Sequence, residues 1–166
     1  MTRPAPKPVS LALQGGGAHG AFTWGVLDAL AEDGRIDPRA ITATSAGAMN
    51  AAAFAMGRMQ GGPDGAREAL ERFWKAISRA GAAFRPAAPG GAMGRFLPWL
   101  DAFTRLTSPY DLNPFNYDPL GDILAAQIDF DAVRACRDTQ LFITATCVTT
   151  GRARVFSGDD VTAEAV

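Results

Sequence analysis

An α/β fold with a mostly parallel central sheet is predicted by three features of the first fifty residues. A short apolar run, Val9–Leu13, ends in the turn Gly15-Gly16-Gly17-Ala18-His19-Gly20, and a helical pattern then spans His19–Asp33. A second apolar run, Ala40–Thr44, turns through Ser45 into a stretch of small residues. Short apolar runs bounded by proline or glycine suit strands buried on both faces of a parallel sheet. Strand, glycine turn, helix and strand make one βαβ unit, whose crossover is expected to be right-handed.

Each further element follows from its own pattern. In the first helix Phe22, Val26, Leu27 and Leu30 fall on one stripe, and Gly34 supplies the C-terminal stop. A helix of small residues is expected over Ala46–Met56, a loop over Gly57–Gly65, and an amphipathic helix over Ala66–Ala80 carrying Leu70, Phe73, Trp74 and Ile77. Gly81–Gly94 is rich in glycine, alanine and proline without a period and is expected to be a mobile excursion. After Pro98, a good first-turn residue, Trp99, Leu100, Phe103 and Leu106 recur at helical spacing. That stripe reads either as a helix packed on the core, the preferred reading, or as a lid or lipid-facing surface; Gly81–Leu106 as a lid stays open. Ser108–Asp118 reads as an ordered loop, and Pro119–Ile128 and Asp131–Cys136 as short helices. Leu141–Val148 is a β-prone strand that Thr149-Thr150-Gly151 turns back into Arg152–Phe156 as a hairpin.

Composition bounds the rest. At 166 residues, with 48% hydrophobic and 20% charged residues, the chain suits one domain with a sizeable core. A net charge of −1 and scattered arginines give no basic stripe, so no nucleic-acid partner is expected. Residues 1–8, with Pro4, Pro6 and Pro8, read as a flexible arm without an apolar signal region, and residues 9–166 as the domain. No apolar stretch is long enough for a transmembrane helix. Cys136 and Cys147 lack metal-ligand spacing and read as free thiols of a reducing compartment, so a cytoplasmic location is expected, with peripheral membrane contact left open.

The two glycine-bearing turns carry the chemistry. Gly15-x-Gly17-x-x-Gly20 matches the dinucleotide fingerprint as a bare pattern, but the second strand ends in Thr42, Ala43, Thr44 and Ser45, without the acidic residue that would bind a ribose. The alternative is an oxyanion hole. A turn free of side chains can aim several N–H groups at one point, and the helix that follows adds its positive end. Ser45 is then the matching nucleophile at a strand-to-helix corner, in the pattern Ala43-Thr44-Ser45-Ala46-Gly47, with alanine where an elbow usually has glycine. The plainer reading of Ser45 is a helix N-cap. His19 is the sole histidine and follows the loop residues directly, which excludes a standard late-arriving triad histidine.

Gly15–Phe22, Thr44-Ser45-Ala46-Gly47-Ala48, Ser108–Pro114 and the strand and turn Ala145–Gly151 together resemble the patatin-like phospholipases, serine acyl hydrolases with a Ser-Asp dyad. The resemblance spans nearly the whole chain. It implies a three-layer α/β fold, Ser45 as nucleophile, and Gly15, Gly16, Gly17 and Ala18 around the oxyanion hole. His19 falls at a position often basic in the family, and Gly20, Ala43, Thr44, Ala46 and Gly47 support the two motifs. It implies a lipid or ester substrate, lipid catabolism, and neither cofactor nor metal. The family's aspartate lies in an Asp-Gly-Gly or Asp-Gly-Ala turn after the strand pair. Asp64-Gly65-Ala66 has those letters but reads as a helix start, and Asp159 and Asp160 lack the glycine. The chain is therefore expected to be the N-terminal part of such a domain, its base beyond Val166, weakly active or inactive alone. Self-association through an exposed sheet edge is expected to follow. A non-catalytic lipid- or partner-binding fragment and, less favoured, a nucleotide-binding domain are the competing readings.

Overall fold

The structure, a computed structural model, describes residues 5–83 and 119–166. Strand β1 (Lys7–Leu13) leads through a 3-10 turn, Gly17–His19, into helix α1 (Gly20–Asp33). Gly34 closes that helix in the left-handed region, at φ 64°, with its N–H on the Leu30 carbonyl. Strand β2 (Ile36–Ala43) follows, then helix α2 (Ala46–Ala83), short helices α3 (Pro119–Gln127) and α4 (Phe130–Ala135), and strands β3 (Gln140–Thr146) and β4 (Ala153–Ser157). The four strands lie in sequence order, with β1, β2 and β3 parallel and β4 antiparallel to β3. The α/β class, the mostly parallel sheet and the closing hairpin are as the sequence reading has them. β1 and β4 are the outer strands among the described residues.

Strand registers align Leu11, Ile41 and Leu141 in one row and Leu13, Ala43 and Ile143 in the next. These rows join Leu27, the alanines of α2, Leu70, Phe73, Leu124 and Val133 in one buried cluster, so the described helices cover this face. On the other face Ser10, Ala12 and Thr42 are exposed. No helix among the described residues covers it, so the third layer of the expected fold is not seen among them.

Pro38 lies inside β2, further back than the sequence reading started that strand. Proline has no N–H for the ladder, and the pairing slips there: Val9 faces Pro38 while Ser10 already faces Ala40. The freed Pro38 carbonyl accepts from Arg58 Nη1 at 3.0 Å and Thr139 Oγ1 at 2.8 Å, and Arg58 also pairs with Asp37. Burial pushes the Asp37 carboxyl up, but Arg58 and Arg39 together outweigh it and hold it below the usual carboxylate range.

Two expectations are corrected. The loop expected over Gly57–Gly65 is a two-residue break, at Gly61 (φ −150°) and Gly62 (φ 63°), inside a helical hairpin whose arms run 46–60 and 63–83. The arms touch so closely that a Cβ on Gly57 would lie 2.2 Å from the Gly65 carbonyl oxygen, so these glycines serve helix packing rather than a loop. In α1, Phe22 and Val26 are exposed, and Leu27 is the fully buried residue of the expected stripe. The packing face runs instead through Gly20, Trp24 and Leu27, with Trp24 stacked on Trp74 at 6.4 Å between centroids. The first residues of the excursion expected over Gly81–Gly94 are helical instead, because α2 continues to Ala83. Its remainder, the Trp99–Leu106 stripe and Ser108–Asp118 lie outside the described residues.

Candidate active site

Parallel strands β1 and β2 both deliver their chain to the same edge of the sheet, and there the two glycine-bearing turns meet. Ser45, between β2 and α2, has φ 51° and is the one non-glycine residue at positive φ among the described residues. That conformation is costly for an L-residue and marks a strained strand-to-helix corner. It also separates the two readings of Ser45. A capping serine takes extended backbone and gives its oxygen to an N–H of the first turn. Here the N–H groups of Gly47 and Ala48 go to the backbone carbonyls of Thr44 and Ser45, at 3.0 and 2.7 Å. The Ser45 side chain is left exposed at the top of the corner.

The corner requires its small neighbours. A Cβ on Gly47 would lie 2.4 Å from the Leu13 carbonyl oxygen, so only glycine lets α2 start this close to the end of β1. Ala43 and Ala46 are buried, 6% and 3% exposed, which shows that alanine fits where the sequence departs from an elbow's glycine. Thr44 Oγ1 donates to the Thr144 carbonyl at 3.0 Å and ties the corner to β3.

The glycine loop abuts the serine. A Cβ on Gly15 would lie 3.1 Å from Ser45 Cβ and 3.3 Å from the Thr44 carbonyl oxygen. Gly17 takes φ 55°, which glycine adopts without strain, and Ala18 and His19 complete the 3-10 turn. Among the described residues no carbonyl accepts the N–H of Gly15 or Gly16. Unpaired amides beside an exposed hydroxyl can stabilise negative charge on a bound carbonyl oxygen. His19 is exposed, and its Nδ1 lies 3.2 Å from the Gly16 carbonyl oxygen, a hydrogen bond when Nδ1 carries the proton. The ring is thereby held against its own loop.

The carboxylates weighed from the sequence are elsewhere. Asp64 opens the second arm of α2, at the far end of the 46–60 arm, about 22 Å from Ser45 at helical rise. Asp159 and Asp160 follow β4, which runs antiparallel and carries them to the opposite edge of the sheet.

Three supports hold the site, and reading motifs alone missed the first of them. Asn50 is fully buried; its Nδ2 donates to the carbonyls of Gly20 and Ala46 at 3.0 and 2.9 Å, and its Oδ1 accepts from Trp74 Nε1 at 2.9 Å. This network ties the starts of α1 and α2, hence both turns, to the second arm. A lone amide in an otherwise apolar run of small residues was the available signal. Gly20 itself has no room for a Cβ, which would lie 2.8 Å from Ala46 Cβ. The third is the hairpin turn after β3, which ends at the same sheet edge as Ser45. Cys147 there is exposed, and hydrogen bonds from the Thr149 and Thr150 hydroxyls, then from their backbones, lower its pKa to about 7. Cys136 sits at the other end of β3 and is buried, far beyond disulfide reach.

A family model described as patatin-like phospholipase matches residues 11–164. Among solved structures, one described as the heterodimeric complex ExoU-SpcU from the type III secretion system of Pseudomonas aeruginosa contains a similar chain. Identity is 22% and the TM-score 0.45, over 96% of this chain and 34% of that one. The present chain thus spans about a third of that relative's length. No curated protein matches it.

Proposed function

Because this chain belongs to the patatin-like phospholipase family, we propose that it supplies the nucleophile and oxyanion hole of a serine acyl hydrolase acting on lipid esters. The observation that carries this reading is the strained, exposed Ser45 at φ 51°, against a glycine loop close enough that a Cβ at position 15 would crowd it. A structural serine has no need of such a conformation.

In the proposed reaction Ser45 Oγ attacks the ester carbonyl carbon as a carboxylate base takes its proton. The carbonyl oxygen becomes an oxyanion held by amides of the Gly15–Ala18 loop, with the positive N-terminus of α2 behind the nucleophile. Collapse expels the alcohol, which receives the proton, and water then hydrolyses the acyl-serine to free acid. The base is a carboxylate other than Asp64, Asp159 and Asp160, which stand at the wrong end of the fold. His19, turned into its own loop, is assigned no proton transfer. A cytoplasmic location remains part of the same proposal.

The test uses the protein that contains this chain together with its base. It should cleave a p-nitrophenyl ester, and Ser45→Ala should lower turnover about 10³-fold or more. Undiminished turnover in the variant refutes the assignment. The 166-residue chain by itself should hydrolyse the ester only weakly, since a serine without a base is a poor nucleophile.

A further inference from the structure

One buried amide reaches both turns of the candidate site. Asn50 is the only polar residue in the run Ala46–Met56, whose other members are alanine, glycine, methionine and phenylalanine. Trp74 Nε1 can only donate, so its bond turns Asn50 Oδ1 toward the second arm of α2 and leaves both N–H bonds of Nδ2 for the carbonyls of Gly20 and Ala46. A buried amide adds little stability over an apolar side chain of its size once desolvation is counted. What it adds is direction, because carbonyls on two different helices accept from a single nitrogen.

Both carbonyls belong to the turns themselves. Gly20 ends the glycine loop three residues after Gly17, and Ala46 follows Ser45 directly. Packing converges on the same point. A Cβ on Gly20 would lie 2.8 Å from Ala46 Cβ and 3.0 Å from Trp74 Cζ2, although Gly20 has an ordinary helical φ of −57°. Its missing side chain therefore serves close contact rather than backbone freedom. The approach of Gly20 to Ala46 sets how near the glycine loop comes to the serine, and the Asn50 amide sets how the two helix starts face each other. Asn50 is 0% exposed, so it meets neither substrate nor reacting atoms.

We propose that Asn50 is a positioning residue of the acyl-transfer site, which holds the amides of the Gly15–Ala18 loop in register with Ser45 by joining the Gly20 and Ala46 carbonyls. This deepens the acyl-hydrolase reading and rests on it for the role of Ser45. An oxyanion hole acts only when its donors stand within hydrogen-bond reach of the oxygen that develops charge, and a displacement of about 1 Å costs about 10²-fold in rate. Without the Nδ2 bonds, α1 and α2 stay packed through Trp24, Leu27 and Trp74, but the turns at their starts lose the tie. The chemical step should therefore suffer more than substrate binding.

The experiment measures p-nitrophenyl ester turnover by the protein that contains this chain together with its base, counted per serine labelled to completion by a fluorophosphonate. Counting labelled serines removes any loss of folded protein from the rate. Asn50→Leu should lower kcat per labelled serine about 10–10²-fold while KM stays within about twofold. Gly20→Ala, which forces Ala46 and Trp74 away, should lower it about tenfold. Ile128→Ala is the control for stability: Ile128 is 4% exposed, and the N–H of its neighbour Asp129 meets Met56 Sδ, eleven residues along α2 from Ser45. It should lower Tm as Asn50→Leu does and keep the wild-type kcat per labelled serine. Wild-type kcat per labelled serine in Asn50→Leu overturns the proposal, as does an equal fall in the Ile128 variant. If Asn50→Leu gives no labelled protein, Gly20→Ala decides, and wild-type kcat per labelled serine there overturns it. Undiminished turnover in Ser45→Ala, or none in the wild-type protein, instead overturns the acyl-hydrolase reading itself, so the two fail separately.

Discussion

Strain at the candidate nucleophile can be measured as stability. Ser45 holds φ 51°, and a non-glycine residue in the left-handed region costs about 1–2 kcal/mol. Its hydroxyl gives nothing to the first turn of α2, whose N–H groups bond to backbone carbonyls. Ser45→Ala should therefore leave stability nearly unchanged, since the strain stays and no capping bond is lost. Ser45→Gly relieves the strain, while glycine's looser unfolded state gives back about 0.4–1 kcal/mol. The glycine variant should then exceed the alanine variant by about 0.5–1 kcal/mol. In a domain of this size that is roughly 2–4 °C in Tm per kcal/mol. Urea titration of both variants checks it, with equal m-values required so that the midpoint shift reports stability alone. An alanine variant as stable as the glycine variant would show that the corner is unstrained, and would remove the structural argument for Ser45 as more than a turn residue.

Two further outcomes follow from the groups around the corner. Asn50→Leu should destabilise the fold by about 2–3 kcal/mol in the same titration, because it leaves Trp74 Nε1 in the core without its acceptor and removes the tie to the Gly20 carbonyl; a near-neutral result would mean that the network does not brace the two turns. Iodoacetamide labelling of Cys147 should rise with pH through a midpoint of about 7, below that of an ordinary thiol, because hydroxyl donors favour the thiolate. Thr149→Val should move that midpoint upward, and an unchanged midpoint would place the cause elsewhere.

What the sequence determined by itself was the order of the elements and the identity of the two turns. Those depend on local rules: apolar runs for strands, glycine where backbones must turn or touch, and a small-residue frame around Ser45. The glycine stop of α1, the hairpin and the α/β class were legible for the same reason. Tertiary structure decided what local rules do not encode. The glycines at 57 and 65 read as loop residues until the two arms of α2 are seen to pack through them. The stripe of α1 was misjudged at Phe22 and Val26 because a helix's apolar spacing does not say which neighbours exist to cover it. Ser45 as a cap and Ser45 as a corner share one sequence, and only its positive φ, imposed by the approach of β1 to the start of α2, separates them. The sheet also fixed which carboxylates stand far from the serine, since strand direction, not distance along the chain, sets the edge at which each loop emerges.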